Sequence, residues 1–404
     1  MLKINEVDLA IDELLPEITK VRKFLHARPE LSLKEHKTSE FIRIQLAKLD
    51  IEVLSPFLKT DVVALLNGIE GNKRNKRKQR NVTLRADMDA LPILEKNIIP
   101  YCSNNKGVMH ACGHDGHSAM LLGAAMILEK FKDHLDGSVR FVFQPGEEVV
   151  AAGKDLIEKG ALKDPKPIAV LAMHGWPGYP VGVIGSRSGE LMAAADFYRI
   201  KLTGKGGHGS NSGRQNNPVV VGSKIVTALS SIPEREFTAE DSVVISINKF
   251  LGGTTSNVIP NEVLIEGSTR FFDKSVGKKI PGLFEDVLKT ECESTEIKYE
   301  LKYDRPYIAT VNDPEIIKAC KSITEQFLGE SAWIDLDKPV MSSEDFSYYI
   351  HGNPGGMFFL GMGEDSPGLH TNTYDFNDEA LKNGIKFFVM SAFHFLSPGI
   401  FKNI

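Results

Sequence analysis

The hydrophobic positions in the first half of the chain follow two different spacings. Residues 8–50 have helical spacing, with Leu14, Ile18, Val21 and Leu25 on one face. Shorter apolar runs typical of buried strands follow, and a helix lies between the second run and the third. These strands are 62–66, 82–86, 139–144 and 168–173, and the helix is 118–130. Strands alternating with helices predict an α/β layer with a mixed, mostly parallel sheet and helices on both faces.

A different pattern begins near residue 190. Residues 196–202 alternate apolar and polar side chains, as a half-exposed strand does. The remaining predicted elements are strands 242–246, 262–267 and 297–301, and helices 218–231, 279–292, 314–327 and 378–395. We therefore predict an inserted α+β domain at residues 190–302. The α/β domain is formed by residues 1–189 and 303–404.

The composition is that of an ordinary globular protein. Of 404 residues, 42% are hydrophobic and 25% charged, and the net charge of −5 gives no general case for nucleic acid or a membrane as partner. No apolar run is long enough to span a bilayer, and residues 1–8 lack the apolar core of a signal peptide. The four cysteines are widely separated, so we expect no disulfide framework and a cytoplasmic location.

A basic run from Lys73 to Arg80 lies between two predicted strands. One interpretation is a binding site for an acidic partner or nucleic acid. The other is a solvated hairpin tip. The second is favoured, because basic runs are common at turns and the chain as a whole is acidic.

Residues 109–117 carry the densest set of reactive side chains. They include three histidines together with Cys112 and Asp115. Histidine and cysteine bind borderline-soft divalent metals. A structural zinc site would show a second cysteine pair or a histidine pair at short spacing, and the sequence has neither. Further ligands must therefore come from distant segments, which favours a site used for catalysis.

Other acids and imidazoles follow the ends of predicted strands, where ligands gather in open α/β sheets. They are Asp87, Asp89, Glu147, Glu148, His174 and His370. A Glu-Glu pair alone is usually a solvated turn. At a strand end beside other ligands, one carboxylate of Glu147 and Glu148 can bind metal while its neighbour takes a proton from water as general base.

Cys112 has three interpretations. It can be a metal ligand, a nucleophile with His110 or His117 as its base, or a small buried core residue. Metal ligation best explains the histidines around it. The other cysteines, Cys102, Cys292 and Cys320, have no such neighbours.

The inserted domain contributes three further candidates. His208 lies in a glycine-rich turn, where it is either an exposed turn residue or an imidazole directed at developing negative charge on a substrate. Asn257, in a second glycine-rich loop, is a candidate amide donor. Arg270 ends a predicted strand, where its guanidinium could hold a carboxylate through two hydrogen bonds.

Seven segments occur in an order that matches a known family. They are 85–92, 110–117, 144–148, 206–210, 257–260, 343–346 and 368–371. With them the chain resembles the metal-dependent aminoacylase and carboxypeptidase superfamily. Within it, the chain is similar to the amidohydrolase branch that contains hippurate hydrolase and the plant auxin–amino acid conjugate hydrolases.

The resemblance implies a role for each candidate. A pair of divalent metal ions, zinc or manganese, would be held by Cys112, His114, Glu148, His174 and His370. Glu147 would be the general base and then the acid, and Asp89 would orient a ligand. His208 would stabilise the tetrahedral oxyanion, and in this family it can come from the partner subunit of a homodimer. Asn257 and Arg270 would contact substrate, Arg270 at the carboxylate of the amino acid. The inserted domain would be the lid and dimerisation domain.

One feature of this branch and one departure from the family pattern bear on the site. Many superfamily members have a metal-binding histidine where this chain has Asp87, and this branch places Cys112 in the site instead. Many relatives follow the lid histidine with an Ala-Met-Pro-His type sequence, whereas this chain has Ser210 to Arg214. Arg214 favours a polar or anionic group on the substrate.

The resemblance and the residues together predict metal-dependent hydrolysis of the amide bond of an N-acyl amino acid, or a related small amide, to a carboxylic acid and an amino acid. Three alternatives stay open. They are a dipeptidase or carboxypeptidase on the same scaffold, a non-catalytic protein that binds amino-acid conjugates, and a hydrolase with a cysteine nucleophile.

Overall fold

The computed structural model describes residues 2–68, 80–211 and 217–401. Most of the predicted basic hairpin tip, residues 73–79, lies outside the described residues, as does Arg214. The chain divides into two compact units. The first unit comprises Met1–Leu191, Val311–Lys338 and Asp345–Ile404, and the second comprises Met192–Thr310 and Pro339–Glu344.

Each predicted helix is present and several begin earlier, while four short helices were not predicted. They are α1 (Ile4–His26), α2 (His36–Leu46), α3 (His114–Lys130), α4 (Glu147–Val150), α5 (Ala152–Glu158), α6 (Pro218–Ser230), α7 (Ile232–Glu236), α8 (Lys274–Glu293), α9 (Pro314–Leu328), α10 (Ser347–Ile350) and α11 (Leu381–Leu396). Short 3-10 turns lie at Lys132–His134, Gly209–Asn211, Ala239–Asp241, Glu330–Ala332 and Asp378–Ala380. None of the described helices has the length and apolar character needed to cross a membrane.

The strands are β1 (Glu52–Val53), β2 (Val62–Asn67), β3 (Asn81–Asp87), β4 (Ser138–Gln144), β5 (Ala169–Trp176), β6 (Ile184–Ser186), β7 (Gly189–Met192), β8 (Ala194–Thr203), β9 (Gly207–His208), β10 (Val244–Gly252), β11 (Val258–Ile259), β12 (Glu262–Phe271), β13 (Lys298–Tyr307), β14 (Thr310–Asn312), β15 (Trp333–Asp335) and β16 (Gly355–Gly361). The predicted strand ending at Met173 is too short, because β5 stays paired with β16 through Trp176. His174 therefore lies within a strand.

The first unit is built on an eight-stranded sheet in the order β1-β2-β4-β3-β5-β16-β6-β15. The central strands β4, β3, β5 and β16 are parallel, and antiparallel pairs lie towards both edges. Every residue of β3, β4 and β16 is buried. Since successive side chains point to opposite faces of a sheet, both faces are covered, as expected of parallel strands. The predicted α/β fold with a mostly parallel sheet is confirmed.

The second unit contains a four-stranded antiparallel sheet in the order β10-β12-β8-β13. Residues of β8 alternate between buried and more exposed, because one face packs on a core that includes Ile200, Ile225 and Phe284. The inserted domain was expected to end at residue 302. In the structure β13 stays paired with β8 as far as Tyr307, so this unit extends to Thr310, and it also takes in residues 339–344.

Candidate metal centre and catalytic groups

The first unit brings the five predicted metal ligands together. Sγ of Cys112 lies 3.4 Å from Nε2 of His174 and 3.2 Å from Nε2 of His370. Oε1 of Glu148 lies 3.4 Å from Nε2 of His370 and 3.8 Å from Nε2 of His114. These atoms come from five separate positions along the chain, so the sheet and its loops assemble the cluster.

Two glycines set the backbone around the cluster. Gly113 has φ 87° and immediately precedes α3, so His114 is the first residue of that helix. A Cβ at Gly113 would lie 2.9 Å from the Tyr374 hydroxyl oxygen. Gly146 has φ 66° and precedes α4, which begins at Glu147. Glycine adopts this left-handed conformation without the steric cost that other residues bear.

Asp89 connects His114 to the turn that carries both glutamates. Its Oδ1 atom lies 3.2 Å from Nδ1 of His114 and accepts the backbone N–H of Glu147 at 3.2 Å. Its Oδ2 atom accepts the N–H of Glu148 at 3.1 Å and the hydroxyl of Ser32 at 2.6 Å. With its Nδ1 atom engaged by Asp89, His114 directs its Nε2 atom towards Glu148.

His117 lies behind the cluster with both ring nitrogens engaged. Its Nε2 atom accepts the backbone N–H of Gly175 at 2.8 Å, so the ring proton of the neutral form must be on Nδ1. Nδ1 then donates to Oδ1 of Asp87 at 2.7 Å. Arg85 donates to the other oxygen of Asp87. His117 is therefore a support for Asp87 and for the backbone next to His174, rather than a ligand.

The cluster is acidic and buried, and its carboxylates raise the pKa values of His114 and Cys112. Burial lowers the pKa of His114, but Asp87, Asp89 and Glu148 outweigh it and raise the pKa to about 10. Burial, together with Glu148, Glu147 and Asp87, holds the pKa of the Cys112 thiol well above its usual range. A thiol kept protonated in this way is a poor nucleophile.

The donor atoms of the cluster suit a divalent cation. Within the described part of the chain, the buried atoms His114 Nε2 and Glu148 Oε1 have no hydrogen-bond partner. Buried polar atoms normally have one. A set of sulfur, imidazole and carboxylate donors matches zinc and neighbouring transition metals, and a cation would offset the negative charge that raises these pKa values.

Glu147 lies beside the cluster. One of its carboxylate oxygens is within 4.8 Å of ligand atoms of both His114 and Glu148. Its Oε1 atom accepts the backbone N–H of Asp345 at 3.4 Å. Asp345 is itself fixed by Arg85 at 2.8 Å and by Gln144 at 2.7 Å. Sequence reasoning gave Asp345 no role, although it lies in one of the seven matching segments.

The three remaining candidates lie in the second unit. His208 is exposed in β9, opposite Val258 of β11, and its Nδ1 atom lies 2.8 Å from the hydroxyl of Ser210. Asn257 precedes β11, and its backbone carbonyl accepts the N–H of Gly209. Arg270, in β12, donates from Nη1 to the carbonyl of Met341 at 2.9 Å. The roles expected of these residues towards a substrate stay predictions.

Comparison with known proteins places the chain in a family. The profile of peptidase family M20/M25/M40 matches residues 83–393. The chain belongs to this family. The matched region begins in β3 and ends in α11, so it includes all five residues of the ligand cluster.

Three similar proteins share most of their length with this M20/M25/M40 member. An N-acyl-L-amino acid amidohydrolase from Geobacillus stearothermophilus is 37% identical over 77% of this chain and 82% of its own. Thermostable carboxypeptidase 2 from Saccharolobus solfataricus is 35% identical over 93% and 94%. The crystal structure of the Bacillus subtilis YXEP protein, a dinuclear metal binding peptidase from the M20 family, aligns with a TM-score of 0.79 and 31% identity over 94% and 98%.

These findings confirm the resemblance inferred from the seven segments. The chain is a metal-dependent hydrolase that uses divalent metal. The ligand cluster in the first unit fits such an ion.

Proposed function

We propose that this hydrolase cleaves the amide bond of N-acyl amino acids and releases a carboxylic acid and an amino acid. The observation that carries the proposal is the position of the Glu147 carboxylate, within 4.8 Å of ligand atoms of His114 and Glu148. The 37% identical amidohydrolase named for N-acyl-L-amino acids supports the substrate class.

Two divalent ions, zinc or manganese, are part of the proposal. Their ligands would be Cys112, His114, Glu148, His174 and His370. The dinuclear character of the similar Bacillus subtilis protein supports the number, and the thiolate and imidazole donors support the choice of metal. When bound, such ions polarise the scissile carbonyl and lower the pKa of water towards neutrality.

Glu147 moves the proton in the proposed reaction. Its carboxylate accepts a proton from the attacking water and then donates it to the nitrogen of the leaving amine. The residue is buried, with 7% of its surface exposed, so bulk water competes little for its carboxylate oxygens. Two hydrogen bonds hold Glu147 in place. Asp89 accepts its backbone N–H, and the backbone N–H of Asp345 donates to the Oε1 atom of Glu147.

The second unit supplies the proposed substrate contacts. His208 donates from Nε2 to the oxyanion, Asn257 donates an amide N–H, and Arg270 holds the substrate carboxylate. The support for His208 is its exposed imidazole, whose Nδ1 atom is engaged by Ser210. We also propose a homodimer in which this unit is the lid and dimerisation domain. The four free cysteines support a cytoplasmic location.

Carboxypeptidase or dipeptidase activity is the second candidate function. A 35% identical relative named as a carboxypeptidase favours it. A nucleophilic role for Cys112 is disfavoured by the raised pKa of its buried thiol. Activity that resists chelation but is lost on alkylation would revive the cysteine hypothesis, and tight binding of conjugates without turnover would support a non-catalytic protein.

A substrate panel on metal-reconstituted protein tests the proposal. N-acetyl and N-benzoyl amino acids are compared with free dipeptides, and metal content is measured on the same sample. We expect turnover of the N-acyl substrates, and a loss of about 10²- to 10⁴-fold in kcat for Glu147→Gln with metal retained. Glu158→Gln, at an exposed carboxylate that ends α5, is the matched control. Hydrolysis by Glu147→Gln at the wild-type rate would rule out the mechanism.

A further inference from the structure

Two buried carboxylates hold three consecutive backbone N–H groups in the turn that carries Glu147 and Glu148. Oε1 of Glu35 accepts the N–H of Gly146 at 2.9 Å. The two oxygens of Asp89 accept the N–H groups of Glu147 and Glu148. The first N–H groups of a helix have no partner within that helix, and a buried donor needs an acceptor. The side chains of Glu35 and Asp89 meet that requirement at the start of α4.

Glu35 joins the turn to two other parts of the first unit. Its Oε1 atom also accepts the N–H of Leu33 at 2.8 Å, and its Oε2 atom accepts the hydroxyl of Thr60 at 2.8 Å. Leu33 has φ 60°, a left-handed conformation that is costly for a leucine. The Glu35 side chain has no exposed surface. The carboxylate therefore connects two backbone N–H groups and the Thr60 side chain from inside the protein.

The segment that contains Glu35 also supports the other carboxylate. Ser32 donates its hydroxyl to Oδ2 of Asp89 at 2.6 Å. The carbonyl of Glu30 accepts the N–H of Ala90 at 2.8 Å. Residues 30–35 thus contact both the Asp89 loop and the Gly146 turn, and Glu35 is their direct hydrogen-bond link to that turn.

We infer that Glu35 is a positioning residue for Glu147, acting by fixing the Gly146 peptide from which the Glu147 backbone continues. The inference rests on the proposed role of Glu147 as general base. Glu35 bonds Leu33, Thr60 and Gly146, and its effect on the reaction passes through the turn. A small displacement of a catalytic group is enough to lower turnover substantially.

The chemistry of the three donors predicts how substitutions rank. Glu35→Ala leaves the N–H groups of Leu33 and Gly146 without their acceptor. Glu35→Gln keeps one carbonyl oxygen for both N–H groups and places its amide NH₂ at Thr60, whose hydroxyl can rotate to accept. The alanine variant should therefore be impaired and the glutamine variant should be largely rescued.

Steady-state kinetics in two backgrounds test the inference. Glu35→Ala should lower kcat by about 10- to 100-fold, with KM and bound metal unchanged, while Glu35→Gln stays within about fivefold of wild type. In a Glu147→Gln background, adding Glu35→Ala should change the residual rate by less than about threefold, because residues that act as one unit are not additive. Glu30→Ala is the matched control, since among the described residues that carboxylate accepts only from Thr38 in α2.

Hydrogen exchange gives a readout that does not depend on activity. In Glu35→Ala, amide exchange of the peptide covering residues 144–150 should accelerate, because the Gly146 N–H loses its acceptor. The same peptide should exchange normally in Glu30→Ala. Should Glu35→Ala fail to fold, Glu35→Asp takes its place with the same expected results, because it draws the carboxylate back by one methylene.

The outcomes separate the inference from the function on which it rests. Turnover by folded Glu35→Ala within about twofold of wild type would overturn the inference. So would an equal loss in both backgrounds, a loss confined to metal affinity, or unchanged exchange at residues 144–150. In each of those cases, loss of activity in Glu147→Gln would still support the proposed function, and only the role of Glu35 would be rejected. Wild-type activity in Glu147→Gln would contradict both the proposed role of Glu147 and the inference about Glu35.

Discussion

The thiol of Cys112 and the imidazole of His174 are 3.4 Å apart, although 62 positions separate them in the chain. His174 lies in β5 at the centre of the sheet, and Cys112 lies in the loop before α3. Burial and nearby carboxylates hold the pKa of the Cys112 thiol well above its usual range. We therefore expect the metal-free protein to carry a proton on Cys112, which a metal ion bound there would displace.

Metal binding is expected to release this proton. Titration calorimetry in buffers with different ionisation enthalpies should give about one proton fewer per site for Cys112→Ser than for wild type, because a serine hydroxyl keeps its proton. Cys102→Ser, which changes a cysteine outside the ligand cluster, should match wild type. Equal proton release by wild type and Cys112→Ser would exclude Cys112 as a ligand.

Asp89→Asn should impair both metal binding and turnover. The carboxylate accepts from Ser32 and from the N–H groups of Glu147 and Glu148, and it faces His114. An asparagine keeps only one acceptor oxygen and turns an NH₂ group towards donors. We expect a 10- to 100-fold loss of metal affinity, roughly the cost of removing a partner that orients a ligand. Asp133→Asn, at an exposed acid, should bind metal normally; unchanged affinity in Asp89→Asn would contradict the orienting role.

His26 should give the fold a pH dependence in the alkaline range. Burial lowers its pKa, but Asp115 and Glu95 outweigh burial and raise it to about 10. The folded pKa lies above the ordinary value of 6.5, so the stabilisation is complete below pH 6.5 and is lost as pH rises through about 10.

Denaturant unfolding at pH 7, 8.5 and 10 measures this effect. The free energy of unfolding of wild type should fall relative to that of His26→Gln as the pH rises, by at most about 1.4 kcal/mol per pH unit. His351→Gln, at an exposed histidine, should follow wild type at every pH. A constant difference between wild type and His26→Gln would show that His26 is not protonated in the fold.

Gly116→Ala should destabilise the first unit. A Cβ at Gly116 would lie 2.3 Å from the ring of Phe376, and both residues are buried. Overpacking of this kind costs about 1–3 kcal/mol, so the melting temperature should fall. Gly282→Ala is the matched control, because a Cβ there meets no atom within 4 Å and lies on the exposed side of α8. Alanine should stabilise that helix by up to about 1 kcal/mol; equal melting temperatures for the two variants would refute the packing argument.

The sequence predicted the candidate metal ligands where their residue types cluster or follow a predicted strand. The density of His and Cys pointed to Cys112 and His114, and the strand ends pointed to Glu148 and His370. The structure brings these four side chains together. Residue type alone shows which atoms a side chain can offer to a metal. The predicted helix at 118–130 begins at His114 instead, because Gly113 in a left-handed conformation starts the helix one turn earlier. Hydrophobic spacing carries no information about such a cap.

The residues that hold the candidate site residues in place could not be predicted from residue type or spacing. Glu35 and Ser32 lie between two helices in a segment with no periodicity, and their partners Gly146, Thr60 and Asp89 are far away in sequence. His117 is a further case, because its bond to the backbone of Gly175 depends on the packing of α3 near β5. Such contacts between distant segments follow from the folded topology, which a single sequence does not specify.

Cys112 and His370 are 258 positions apart in the chain, so the ligand cluster cannot form until most of the chain has been synthesised. The ligand cluster exists only after β16 has paired with β5 and the loop carrying His370 has been synthesised. In contrast to a zinc finger, whose ion drives folding, we expect this chain to reach its native topology before it binds metal. We therefore expect the metal-free protein to be folded and inactive and to become active when metal is added, which circular dichroism and activity measured before and after metal addition would test.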